Sequence, residues 1–126
     1  MIDIEKHAAH WRDGAREEWE VACELLERGR IRHGLFLAHL ALEKALKAQV
    51  CRHTGEVPPR IHNLPKLATL AGVNLGHEQS ALLAEMNAFC QIGRYPGMEV
   101  PLPGREKLES LRKNCESLLQ WLTTQY

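Results

Sequence analysis

The sequence predicts an all-α fold, an up-and-down four-helix bundle with an additional short helix, on three observations. Apolar residues recur at steps of three and four through most of the chain. The breaks in that rhythm coincide with Gly and Pro. No segment alternates with the period of two that a half-buried strand requires. With 126 residues, 44% apolar and 25% charged, the chain suits one domain over residues 1–126 with a modest core.

Ile4, Ala8, Trp11, Ala15, Trp19, Ala22 and Leu26 mark the first helix, which Arg28 and Gly29 close with a basic turn and a stop. The second runs from Ile31 to about His53. Leu35, Leu42, Leu46 and Val50 form one face, and Leu37, Leu40, Ala41 and Ala45 thicken it toward all-round burial, so this helix belongs in the centre. Gly55 and Pro58-Pro59 end it and open a loop over 54–61, because each proline removes a donor and restricts the residue before it. Leu64, Leu67, Ala68 and Leu70 read as a short third helix that Gly72 ends. Pro65 requires that helix to begin near His62, with Asn63 as its cap. The fourth is expected from about Glu78 to Ile92 on the stripe Leu82, Leu83, Met86, Phe89 and Cys90, stopping at Gly93. Pro96, Gly97, Pro101, Pro103 and Gly104 then exclude regular structure, and Leu108, Leu111, Cys115, Leu118, Leu119 and Leu122 mark the last helix. The short Gly29-Arg30 turn predicts antiparallel packing of the first two helices.

Sixteen Lys and Arg balance sixteen Asp and Glu, so the whole molecule has no net field with which to grip a polyanion or an anionic membrane. Any nucleic-acid role must rest on local residues. Apolar runs such as Leu35 to Ala38 fall far short of the roughly 20 residues that span a bilayer, and the charged start Met1-Ile2-Asp3-Ile4-Glu5-Lys6 lacks a signal-peptide centre. A cytoplasmic protein is expected, with no membrane partner. Cys23, Cys51, Cys90 and Cys115 form no Cys-x-x-Cys pair and fit helical apolar positions as small core residues. His7 and His10 share a helical face, but nothing at metal-ligand spacing completes a shell, so neither a metal nor another cofactor is expected. Trp11, Leu35 and Trp121 are candidate exposed apolar positions for a homodimer contact.

On the second helix, His39, Glu43 and Lys47 are spaced four and four and therefore line one face. In so apolar a helix, a polar stripe must be hydrogen-bonded, open to a groove, or buried against a partner. An exposed ion-pair ladder is the structural alternative.

Ala38-His39-Leu40-Ala41-Leu42-Glu43-Lys44-Ala45-Leu46-Lys47-Ala48, then Gly55 and Pro58-Pro59, then Ile61-His62-Asn63-Leu64, and finally Arg94-Tyr95-Pro96 resemble the signatures of HEPN domains, in that family's order across about 60 residues. The resemblance implies a dimerising bundle, often encoded beside a minimal nucleotidyltransferase, the pair acting as toxin and antitoxin. Many HEPN proteins are metal-independent endoribonucleases that carry Arg, four to six residues, then His near the start of a late helix. This chain departs from that pattern: no His follows Arg94 between Tyr95 and Pro101. A literal match, Arg32 with six residues before His39, falls on the second helix.

RNA cleavage needs a base for the 2′-hydroxyl and a cation for the phosphoryl oxygens. The expected machinery is Arg94 on the phosphate and His62 or His39 as proton acceptor. Glu43, Lys44, Lys47, Tyr95 and Arg32 are the candidate binding residues for RNA or a nucleotide at the dimer groove. The structural alternative has His62 capping the third helix, Glu43 pairing Lys47, Arg94 bonding carbonyls that end the fourth helix, and Tyr95-Pro96 sealing the core. The alternative function is a non-catalytic module that docks a nucleotidyltransferase.

Overall fold

The structure is a computed structural model and describes residues 2–91 and 101–124. Its helices are α1 (Ile4–Glu27), α2 (Ile31–Thr54), α3 (Leu64–Ala71), α4 (His77–Met86) and α5 (Arg105–Thr124), with a 3₁₀ helix over Asn87–Gln91. Among the described residues there is no strand, so the all-α expectation holds.

Local signals place the ends. The Asp3 carboxylate accepts the Lys6 N–H and starts α1, and the Asn63 side chain accepts the Lys66 N–H and starts α3, with Pro65 in the first turn. Gly55 ends α2 as expected. Gly72 ends α3 because its φ of +67° is a left-handed backbone conformation that residues with a Cβ rarely adopt. The fourth helix departs from expectation, since α-helical geometry stops at Met86 and tightens to 3₁₀ at Asn87. The Asn87 side chain accepts the Leu64 N–H at 3.0 Å, which ties this change of pitch to the head of α3. Ile92 and Gly93, the expected end, lie outside the described residues.

Helices α1 and α2 are antiparallel. Gly34 of α2 meets Leu26 and Ala22 of α1, Lys44 meets Glu18, and Arg52 comes within 3.9 Å of Glu5. Helix α5 is antiparallel to α1, because Arg112 pairs with Glu27 at 3.1 Å while Arg16 donates to the Thr123 carbonyl at 3.2 Å. It is tied to α2 by Gln49, whose buried amide donates to the Leu122 carbonyl at 2.6 Å.

α2 is the central element. Leu35, Ala38, Ala41, Leu42, Ala45, Leu46, Val50 and Cys51 are all buried. The core they form also includes Leu64 and Leu67 of α3, Leu83 and Met86 of α4, and Leu111, Leu118 and Leu122 of α5. This corrects one sequence expectation. Leu35 is 2% exposed and belongs to the core, because α2 is covered on several sides, so it offers nothing to a second copy. Trp11 and Trp121 are half-buried.

No disulfide joins the four cysteines, of which Cys51 and Cys115 are buried and Cys23 and Cys90 half-buried. Burial pushes the Cys115 thiol up to about 12 from its ordinary 9.0, with Glu85 and Cys23 adding to the shift. Burial also raises Cys51, and Cys23 is raised by burial against the opposing effect of Arg112. The folded protein therefore keeps the Cys115 proton where the unfolded chain releases it. The resulting stability is fully present below about pH 9 and is lost as pH rises toward about 12. Urea midpoints measured from pH 8 to 11 should fall more steeply for the wild type than for Cys115→Ala. Equal slopes would contradict the assignment.

Candidate functional site: a buried carboxylate and an oriented imidazole

His39, Glu43 and Lys47 share one face of α2, and all three are buried, at 1%, 4% and 5% exposure. The polar stripe is therefore an internal network and not the exposed ladder. Glu43 is its hub. One carboxylate oxygen, Oε2, accepts from the Lys47 ammonium at 3.0 Å, and the other, Oε1, accepts from Nδ1 of His62 at 3.0 Å. The His39 Nδ1 lies 3.9 Å from the same Oε1.

The second imidazole contact fixes the loop. His39 donates from Nε2 to the backbone carbonyl of His62 at 3.2 Å, because a carbonyl only accepts. His62 is thus held twice, by its main chain to His39 and by its ring to Glu43. With Nδ1–H spent on an acceptor-only carboxylate, the remaining ring nitrogen, Nε2, is the acceptor of the neutral imidazole. The His62 side chain is 53% exposed while the Glu43 side chain is 5% exposed. A sealed carboxylate orienting a solvent-facing imidazole is a means of presenting a proton acceptor at a surface.

A residue from α1 completes the cluster. The Lys47 ammonium lies 5.2 Å from the centroid of the Trp11 ring, a cation–π contact, and His7 and His10 approach the same ring edge-on at 6.4 and 6.0 Å. The Trp11 Nε1 is buried and has no hydrogen-bond partner among the described residues. Reading Trp11 as a dimer contact missed this role. The available signal was an aromatic on the helix that the short turn folds back onto α2.

The structure thus brings together His39, Glu43, Lys47 and His62, and separates two other candidates from them. Lys44 points elsewhere, donating to Glu18 at 3.0 Å with its stem against Gly14, so the expectation that it shares the groove of Glu43 is corrected. One residue along a helix turns the side chain by about 100°, which puts Lys44 toward α1. Arg32 shares the helical face of His39 but sits exposed in the first turn of α2, about 10.5 Å away along the axis. His39, expected to accept a substrate proton, is enclosed and holds the His62 main chain instead. His62 does not cap α3, because Asn63 does. Arg94 and Tyr95 lie outside the described residues. Among the described residues, no group of three or more His, Cys, Asp or Glu is arranged to hold a metal ion, and no helix is long and apolar enough to cross a membrane.

Fold and site together define a helical-bundle protein whose central helix carries a buried polar network reaching one surface imidazole. The family model for the HEPN domain matches residues 8–125, and the chain belongs to the HEPN family. Two solved structures share the fold. TT1696 from Thermus thermophilus is 21% identical with a TM-score of 0.77, covering 91% of this chain and 94% of its own. ST0689, an archaeal HEPN homologue, is 20% identical with a TM-score of 0.68, covering 99% and 98%. No curated protein matches the chain.

Proposed function

We propose that this HEPN protein acts in the cytoplasm as the effector half of a nucleotidyltransferase-linked toxin–antitoxin module. It works as a homodimer that binds RNA at the groove between protomers and cleaves it without metal. The observation that carries this reading is the 3.0 Å bond from His62 Nδ1 to the buried Glu43, which leaves Nε2 of a half-exposed imidazole to accept a proton. In the reaction, Nε2 of His62 takes the proton of a ribose 2′-hydroxyl and the 2′-oxygen bonds to the adjacent phosphorus. The bond from phosphorus to the 5′-oxygen breaks, that oxygen takes a proton from water, and a 2′,3′-cyclic phosphate remains. Arg94 on the phosphate and Tyr95 against a base complete the proposal, on the chemistry of a guanidinium and an aromatic ring. Glu43 is a positioning residue, with Lys47 and His39 holding it and the loop in place.

Labelled RNA incubated with purified protein and a chelator tests this. The wild type should yield cyclic-phosphate ends, and His62→Ala should cleave about 10²–10⁴-fold more slowly, the usual contribution of a positioned base. No cleavage by the wild type, or equal cleavage by the variant, would remove the nuclease reading.

A docking module without catalysis is the second reading, and one observation favours it. A groove of about 300 Å³ between α1 and α5 has Ala15, Trp19 and Leu119 among its lining residues, a floor suited to an apolar partner surface. This reading requires a nucleotidyltransferase complex that barely responds to salt, together with no RNA affinity. Phosphate contacts would instead weaken steeply as salt rises.

A further inference from the structure

The turn between α1 and α2 reads Arg28-Gly29-Arg30-Ile31-Arg32-His33. All three arginines and His33 are exposed, and none of these four side chains has a hydrogen bond or an ion pair among the described residues. Nearby countercharge is scarce. The first turn of α2 contains no acidic residue, and Glu27, the last residue of α1, is held by Arg112 at 3.1 Å. Glu24, one helical turn before Arg28, is the next acidic residue back along α1. In a chain with no net charge, this end of the bundle therefore holds a concentrated local excess of positive charge.

We propose that the α1–α2 turn is a second RNA-binding site, separate from the His62 network, in which Arg28, Arg30 and Arg32 hold backbone phosphates. Three of its four basic groups are arginines, whose planar guanidinium groups match phosphate oxygens two at a time. The turn is also in line with the first site. Arg32 and His39 lie on one face of α2 about 10.5 Å apart along its axis, and His39 bonds the His62 main chain. A strand of several nucleotides that presents its 2′-hydroxyl at His62 has the length to reach the arginines as well. The turn lengthens the bound stretch and fixes which way the strand lies, and so favours single-stranded RNA of several nucleotides over a mononucleotide. This inference rests on the RNA reading above.

The test uses a 2′-O-methyl RNA dodecamer, which keeps the phosphates and lacks the attacking hydroxyl, titrated over a salt series. The chain with Arg28→Ser, Arg30→Ser and Arg32→Ser should bind at least about tenfold more weakly at 50 mM salt. Its slope of log affinity against log salt should be shallower by about 2, at roughly 0.7 for each phosphate that the variant no longer neutralises. The triple lysine variant should keep the wild-type slope. All three positions are exposed, so the melting midpoint should not move. Wild-type binding that the serine variant retains with the same slope would overturn the turn site and leave the RNA reading standing. A wild type that fails to bind the strand at low salt would overturn both. Equal affinity for polyglutamate would overturn RNA as the occupant in favour of an acidic protein.

Discussion

Glu43→Ala is expected to lower the unfolding free energy by about 3–5 kcal/mol, read from urea denaturation, because it strips the acceptor that Lys47 and His62 share and leaves a buried cation without its carboxylate. Lys47 is 5% exposed, and its ammonium has the Glu43 carboxylate at 3.0 Å and the Trp11 ring at 5.2 Å. The ring alone does not replace a carboxylate. The paired replacement Glu43→Met with Lys47→Met should recover much of the loss, since taking both charges out of the interior also removes both desolvation penalties. That double variant should still fail to orient His62. Stability and cleavage would then separate, with the fold restored and the proton acceptor loose. A Glu43→Ala chain within about 0.5 kcal/mol of wild type would mean that Lys47 escapes to solvent and that the network holds nothing in place.

Leu46→Ala is expected to cost about 2–5 kcal/mol, the range for emptying a fully buried leucine position, whereas Val21→Ala should change stability by no more than about 0.5 kcal/mol. Leu46 is 0% exposed in the centre of α2, while Val21 on α1 is 38% exposed. Thermal or urea unfolding of the two variants side by side measures the difference. Equal costs would contradict the placement of α2 at the centre.

The His62 network is partly legible in the sequence. The four-and-four spacing of His39, Glu43 and Lys47 reports one helical face, and an otherwise apolar helix makes that face unusual. Its partners are not legible there. His62 is 19 residues from Glu43 and Trp11 lies on a different helix, and nothing in local periodicity says which loop or ring closes over a stripe. For the same reason Arg32 and His39 share a helical face but not their burial. A shared face predicts a shared direction, but exposure depends on how far the neighbouring elements extend, and Arg32 lies outside their cover although Gly34 in the same turn is buried. Leu35, only three residues further along, is already sealed.

The chain by itself determined the number, type and order of the helices and most of their ends, because hydrogen bonding within a turn, the proline ring and the left-handed glycine act over a few residues. Asn63 at the head of α3 and Gly72 at its end are read directly from neighbours in sequence. Only the tertiary structure decided that Glu43 is a sealed hub, that Lys44 belongs to Glu18, and that three arginines stand in solvent with no ion pair among the described residues. Those outcomes depend on packing between residues far apart in the chain, where desolvation rewards a paired charge inside and leaves an unpaired one in water.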